Sequence, residues 1–312
     1  MAPTGTGFER KSVAIVGLGS IGGVIAGLLS AIDRYDIIAC VRRPVERLTV
    51  ERPEGGIEVP ISSLTDPALA KPVDWVLLCT KTQDTAASAS WLERLCGERT
   101  HVAALQNGIG HDERLAPFVG QATVVPTVVY YNGERLAPDR VRCRRAGDYD
   151  FAVSDDAAGQ SFAALLDGTS MRVLVTGDFK TLAWRKLLIN AVANPTSALT
   201  LQRNAVFRRE DVTTVCLALL EEAAAVGRAD GAQLAADEPE QSIARLLSVP
   251  ADAGSSMYFD RLAGRPLEVE ALTGAVVALG ERHSVPTPLL RMLLTLTRAA
   301  SEGAPLLPRR SV

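Results

Sequence analysis

Three residue types are scarce in this 312-residue chain, and each scarcity removes a kind of chemistry. Cysteine occurs five times, at 40, 79, 96, 143 and 216. The set is odd in number and lacks both Cys-x-x-Cys and any metal-ligand spacing. It reads as reduced thiols in a cytoplasmic protein, with no disulfide framework and no metal. Histidine occurs three times, and none of the three has a carboxylate in a suggestive sequence relation. Lysine supplies only five of the 33 basic residues, at 11, 71, 81, 180 and 186. A chain that mostly uses arginine keeps lysine where lysine is needed. Arginine cannot release a proton at workable pH, whereas lysine can once its pKa is lowered. That contrast singles out Lys81 and Lys186.

Charge of one sign and long apolar runs are missing as well. A net charge of -3 leaves no basic footprint for nucleic acid. No apolar run reaches the ~18 residues a bilayer span requires. The stretch from Met1 to Lys11 is polar with Gly and Pro, so no signal peptide is expected.

What is present divides into two parts. The first carries alternating strand and helix patterns. Ser12 to Gly17 is a short β-branched run, predicted to be a buried strand. It leads into Gly17-Leu18-Gly19-Ser20-Ile21-Gly22 and an apolar helical stretch to Ile32. Strand, Gly-x-Gly-x-x-Gly and helix, in that order, form the context a dinucleotide fingerprint requires. The glycines permit the tight turn, the approach of a pyrophosphate and close helix–strand packing. The second strand, Asp36 to Val41, is followed by Arg42 and Arg43 where an NAD site would carry an acid. Arginine there suits a 2′-phosphate, so NADP is expected over NAD; the alternative is a solvated loop pair. The strand from Asp74 ends at Lys81, and the strand from His101 to Leu105 ends in Gln106-Asn107-Gly108. Ligands of open α/β sheets lie beyond the carboxyl ends of strands. Lys81 and Asn107 are therefore site candidates, against an exposed loop lysine and an ordinary Asn-Gly turn. The runs 123–131, 140–144 and 150–154 are expected to extend this sheet, the last two as antiparallel additions. A helix over 156–166 and a strand over 171–175 close the part, and Asp178 is a plausible helix N-cap.

No convincing strand follows Asp178. Helices are expected at 180–194, broken by Pro195, and then at 208–230, 239–248, 253–263, 268–282 and 287–301. The tail from Gly303 is expected to fray. Within the first of these helices, Lys186, Asn190 and Asn194 are spaced i, i+4, i+8, and every residue between them is apolar. That spacing places them on one helix face. A solvated face is the plain reading, but solvated faces usually carry Glu, Arg and Lys rather than amides. A buried helix with a polar stripe lining a cleft fits better. A nicotinamide reductase needs a proton donor beside the carbonyl that takes the hydride. His101 sits at the wrong end of its strand, His111 in a loop, and His283 near a helix C-terminus where the dipole favours it. Lys186 is the remaining candidate, its ordinary pKa of ~10.4 expected to be lowered towards neutrality by partial burial and nearby Arg or Lys. Glu268 is a further candidate, against a first-turn acid serving the helix dipole. Ser255-Ser256 is read either as a carboxylate binder or as a cap.

Taken together these motifs resemble the ketopantoate reductase (2-dehydropantoate 2-reductase) family. The matching pieces are Gly17 to Gly22, Arg42, Thr80-Lys81, Gln106-Asn107-Gly108, Trp184-Arg185-Lys186 with Asn190 and Asn194-Pro195, Ser255-Ser256-Met257 with Asp260, and Glu268. They run in order from about Ser12 to Ala300. The resemblance implies an α/β plus all-α architecture: a Rossmann NADP-binding domain, 12–176, then a helical 6-phosphogluconate dehydrogenase-like substrate and dimerisation domain, 178–302. It implies NADPH-dependent reduction of 2-dehydropantoate to (R)-pantoate in pantothenate synthesis, in the cytoplasm, compatible with a homodimer. By position it implies Lys186 as general acid and Glu268 as a catalytic residue that also holds polar groups of cofactor and substrate. Asn107 would help place nicotinamide and substrate, and Lys81 would sit by the cofactor. Asn190, Asn194 and Ser256 would bind the substrate, with Asn204 as a helper. Leu267, Ala253 and Thr273 depart from residues common in the family, all on the substrate side. The alternatives are a paralogous reductase of another 2-oxo acid or an imine, and, in another class, a non-catalytic NADP-binding sensor that would need no proton donor.

Overall fold

The computed structural model describes residues 10–145 and 147–303. The chain forms two compact units. One holds the chain up to Gln106 together with Gly110–Gly177; the other holds Asn107–Ile109 and the chain from Asp178.

In chain order the first unit contains β1 (Lys11–Val16), α1 (Ser20–Ala31), β2 (Tyr35–Cys40), β3 (Arg47–Glu51), β4 (Ile57–Pro60) and β5 (Ser62–Leu64). There follow β6 (Trp75–Leu78), α2 (Ala89–Leu95), β7 (His101–Ala104), α3 (His111–Val119), β8 (Thr123–Pro126) and β9 (Val128–Val129). It closes with β10 (Asn132–Ala137), β11 (Arg140–Arg144), β12 (Phe151–Ser154), α4 (Ala157–Leu165) and β13 (Val173–Thr176). Six strands form one sheet in the order β5-β2-β1-β6-β7-β8. All its neighbouring pairs are parallel. A parallel sheet is covered on both faces, so its strands read as continuous apolar runs. In β1, Val13 and Ile15 enter one apolar cluster while Ala14 and Val16 enter the other. Strand order reverses between β1 and β6, the switch point at which such sheets bind ligands.

The later strands do not extend this sheet as expected. β11 pairs antiparallel with β10 and parallel with β3, in a separate four-stranded sheet ordered β10-β11-β3-β4. β12 pairs with β9 and β13 in a third sheet. The alternation in Arg140–Arg144, with Val141 and Cys143 buried, specifies a half-buried strand but not its partner. Val141 and Val50 pack against α1, giving that helix a second apolar cover.

The second unit contains α5 (Phe179–Thr200), α6 (Glu210–Ala229), α7 (Glu238–Ser248), α8 (Ser256–Leu262), a π-helical turn (Glu270–Gly274), α9 (Ala275–Arg282) and α10 (Pro288–Glu302). No strand occurs among its described residues. Its core joins Trp184, Leu187, Leu188 and Val192 of α5 to Leu219 and Leu220 of α6 and to Leu272 and Val276. Three expectations are corrected. Asp178 occupies the N-cap position of α5, but its side chain makes no capping bond. Glu268 does not open a helix; it lies in the loop just before the π-turn. And α5 does not break at Pro195 but runs through it for 22 residues. Proline inside a helix leaves the carbonyl four residues back without its donor. Here that carbonyl, of Ala191, accepts a 2.7 Å bond from the Thr273 hydroxyl instead. The expected frayed tail lies outside the described residues.

Candidate active site

In the first unit the Gly-rich loop leaves β1 at its carboxyl end. A Cβ on Gly22 would stand 2.1 Å from the Gly17 carbonyl oxygen, so only glycine closes this loop. A Cβ on Gly19 would meet nothing within 4 Å, so the loop's outer side is open. Gly19 is the N-cap of α1, with no side-chain capping bond. The amides of the first turn, at Ser20, Ile21 and Gly22, therefore have no capping side chain in their way. Open backbone at a helix N-terminus is the surface a pyrophosphate binds, so the residues fit a dinucleotide. The loop is braced from behind by Tyr131, whose hydroxyl donates to the Ile21 carbonyl at 2.9 Å. Burial pushes that phenol well above its ordinary pKa and keeps it a donor. Leu18 is buried beneath the loop. Arg42, exposed, follows β2; Lys81, half-buried, follows β6.

Gln106, at the end of β7, is a residue whose role is hidden in the sequence. Its amide donates to the Thr80 carbonyl at 3.1 Å and to Thr85 Oγ1 at 3.0 Å. It also receives Arg114 on its carbonyl oxygen at 3.3 Å. The side chain ties the carboxyl ends of two strands and is buried. His111 is likewise buried, its Nε2 3.1 Å from the Gln106 carbonyl.

The second unit gathers Asn107, Lys186 and Glu268 from three distant places in the chain. Lys186 sits half-buried on α5. Burial pushes its pKa down from 10.5 to about 8, and the charge of Glu268 pulls the other way. Glu268 is itself 6% exposed and accepts a 3.3 Å bond from the Asn107 amide. Asn107 is held there by its neighbour. Gly108 has φ of +95°, and a Cβ on it would lie 2.4 Å from the Ala271 carbonyl oxygen of the π-turn. Asn190 is half-buried and Asn194 is 8% exposed, so the polar stripe on α5 is not a solvated face.

The two serines have different roles. Ser255 caps α8 by accepting from the Tyr258 amide at 3.1 Å, and its Oγ lies 2.6 Å from Ser197 Oγ. Ser197 in turn donates to the Asn194 carbonyl at 3.0 Å. Ser256, the first residue of α8, is exposed. Asn204 spends both amide hydrogens on the Leu246 and Val249 carbonyls, at 2.8 and 3.0 Å. It pins the end of α7, and those hydrogens are not offered to a ligand.

Two carboxylates anchor the start of α5 beside Lys186. Asp230 accepts from Trp184 Nε1 at 2.9 Å, pairs with Lys180 at 3.3 Å and lies 3.2 Å from His283 Nε2. Glu238, with no exposed side-chain surface, bridges Arg185 at 3.0 Å and Arg245 at 2.8 Å. Burial alone would raise both carboxyl pKa values, but these bonds outweigh it and hold both below the ordinary range. His283 thus serves a structural carboxylate as well as a helix end. A half-buried, largely protonated ammonium near a carboxylate can donate a proton to an oxygen acquiring negative charge.

Known proteins resemble this chain in sequence and in fold. Residues 13–156 match the family described as ketopantoate reductase PanE/ApbA, and residues 178–301 match the ketopantoate reductase PanE/ApbA C-terminal family. A 2-dehydropantoate 2-reductase of Caulobacter vibrioides is 40% identical over 293 residues, covering 93% of this chain and 99% of that protein. One from Mycobacterium tuberculosis is 38% identical over 293 residues, covering 93% and 98%. Among solved structures, a dimeric ketopantoate reductase from Staphylococcus aureus superposes with a TM-score of 0.82 at 26% identity, covering 93% and 99%.

Proposed function

Because this chain belongs to the ketopantoate reductase family, we propose that it catalyses the NADPH-dependent reduction of 2-dehydropantoate to (R)-pantoate. The observation that carries this reading is the cluster of Lys186, Glu268 and Asn107 in the second unit. A reductase of a ketone needs a hydride for the carbon and a proton for the oxygen. Reduced nicotinamide, when bound, supplies the hydride. The backbone at Gly17, Gly19 and Gly22 holds the pyrophosphate, with Leu18, Ser20 and Ile21 completing the loop. Arg42 binds the 2′-phosphate, and Lys81 lies at a strand's carboxyl end on the cofactor side.

Lys186 supplies the proton. With a pKa near 8 it is mostly charged at neutral pH, yet gives up its proton more readily than an exposed lysine. Glu268 opposes the burial effect and so keeps the ammonium charged until it is needed. Its second neighbour, Asn107, fixes the carboxylate and helps place substrate and nicotinamide. Asn190, Asn194 and Ser256 offer neutral donors to the substrate's hydroxyl and carboxylate. The first unit is the NADP-binding domain and the second the substrate domain.

No helix of the described residues is long and apolar enough to cross a membrane. The S. aureus relative is dimeric, and α10 exposes Leu289, Met292 and Leu296 at i, i+3, i+7. Both support a homodimer, which sedimentation equilibrium tests. The function itself is tested by steady-state turnover of 2-dehydropantoate against other 2-oxo acids with NADPH. Turnover of another acid, with none of 2-dehydropantoate, refutes the substrate assignment.

A further inference from the structure

The helix that carries Lys186 has a defect built into it. Pro195 has no N–H, so the Ala191 carbonyl, one residue past Asn190, loses its helical donor. The proline ring also pushes that carbonyl outward from the helix axis. A buried carbonyl left unpaired would be costly, yet α5 continues for five residues beyond the proline.

The donor comes from Thr273, which is fully buried and places its hydroxyl 2.7 Å from the Ala191 oxygen. Thr273 lies within the π-helical turn, closed by the Gly274 amide bonding to the Val269 carbonyl at 2.9 Å. Such wide turns recur at functional sites. The same turn presents the Ala271 carbonyl to Gly108, next to Asn107, and Glu268 enters it from its N-terminal side. One five-residue turn therefore touches the strand-end segment that carries Asn107 and the helix that carries Lys186.

We propose that Thr273 is a positioning residue for the proton-transfer step: its hydroxyl replaces the N–H missing at Pro195 and so fixes the Glu268 segment on the helix of Lys186. This rests on Lys186 and Glu268 being the catalytic pair. The defect and its repair act as one device. In a helix with its own bond at Ala191, the backbone N–H would compete for that carbonyl and weaken its grip on the turn. The proline frees the carbonyl, and the threonine uses it to set the register between Glu268 and Lys186. Threonine suits the place because its methyl fills buried space while its hydroxyl donates. Valine has the same shape and cannot donate.

The test is a double-mutant cycle in the full-length enzyme with Thr273→Val, Thr273→Ser, Pro195→Ala and Pro195→Ala/Thr273→Val. Three readouts are taken: kcat and KM with NADPH and 2-dehydropantoate, the thermal midpoint, and the titration of Lys186. The last is read by 13C NMR of the reductively methylated protein, its lysines assigned by Lys→Arg variants. Thr273→Val is expected to lower kcat ~10-fold with KM for NADPH within about 2-fold. It should also lower the midpoint by roughly 3–6 °C. Lys186 should titrate lower, because the pull of Glu268 weakens. Thr273→Ser should keep all three near wild type. In the Pro195→Ala background the backbone regains its own N–H for the Ala191 carbonyl. There Thr273→Val should cost kcat less than about 2-fold, and folding should be restored if the single variant is unstable. Equal losses from Thr273→Val in both backgrounds overturn the proposal, as does an unchanged kcat. Should 2-dehydropantoate prove not to be the substrate, the Lys186 titration still decides: an unmoved titration in Thr273→Val overturns it, and a downward shift in Pro195→Ala to which Thr273→Val adds nothing supports it.

Discussion

The two units build their sites by opposite means. In the first, the groups proposed to hold a ligand are mostly backbone amides of one six-residue loop, and the side chains that matter are the ones left out. In the second, the groups are side chains at positions 107, 186 and 268, brought together by a helix, a strand-end segment and a π-turn. A site made of backbone is broken by adding an atom; a site made of side chains is broken by removing one. The first kind depends on local conformation, the second on the register between elements far apart in the chain.

That contrast sets the order of expected effects. Lys186→Ala should lower kcat by ~10² or more with little change in KM for NADPH; near-full turnover would remove Lys186 from the chemistry. Gly22→Ala adds a single methyl, yet it collides with the Gly17 carbonyl. It should raise KM for NADPH by about 10², with the thermal midpoint of the second unit unchanged. An unaltered KM would show that the loop has slack the geometry denies. Arg42→Ala should raise KM for NADPH about 10–30-fold and leave that for NADH nearly unchanged. Equal changes would dissolve the 2′-phosphate assignment.

Two smaller effects sharpen the electrostatic side. With Lys186 as the proposed acid, which must be protonated to act, kcat/KM should fall as pH rises through about 8, tenfold per unit beyond it. A pH profile flat to ~10 would contradict this. Glu238→Gln should cost about 1–2 kcal/mol at pH 7, measured by denaturant unfolding. The sign follows from its lowered pKa. The stabilisation is complete above the ordinary value of 4.5 and is lost as pH falls through the lower folded value. The variant should therefore show a flatter acid limb than the wild type.

Much of the first unit is legible in the chain because its signals are local. Buried parallel strands are continuous apolar runs, and a strand followed by Gly-x-Gly-x-x-Gly and a helix has few other readings. What misleads there is pairing. Arg140–Arg144 alternates as a strand should, but alternation gives the buried face and says nothing of which edge it joins, so β11 lies on a different sheet from the expected one. Gln106 shows the same limit, since nothing local in the chain points to its partners at Thr80 and Thr85. In the second unit the i, i+4, i+8 stripe identifies a face of α5 correctly. The break expected at Pro195 fails because the rule against proline in helices assumes that the freed carbonyl stays unpaired. A threonine 82 residues along from that carbonyl removes the assumption. The family resemblance makes Asn204 one more amide for a substrate, and the structure spends its hydrogens on a helix end.

By itself the sequence determined the two-part architecture, the nucleotide loop and the identity of Lys186 as the candidate acid. The first two follow from spacing within a few turns or strands, where chain geometry is nearly fixed; Lys186 follows from its polar stripe, the unsuitable histidines and the family resemblance. Only the tertiary structure decided which polar residues are free to act. Whether an amide, serine or carboxylate faces a ligand or satisfies a buried backbone group depends on partners remote in the chain. Asn107 beside Glu268, Ser255 beside Ser197 and Thr273 beside Ala191 are such partners, and no local pattern encodes them.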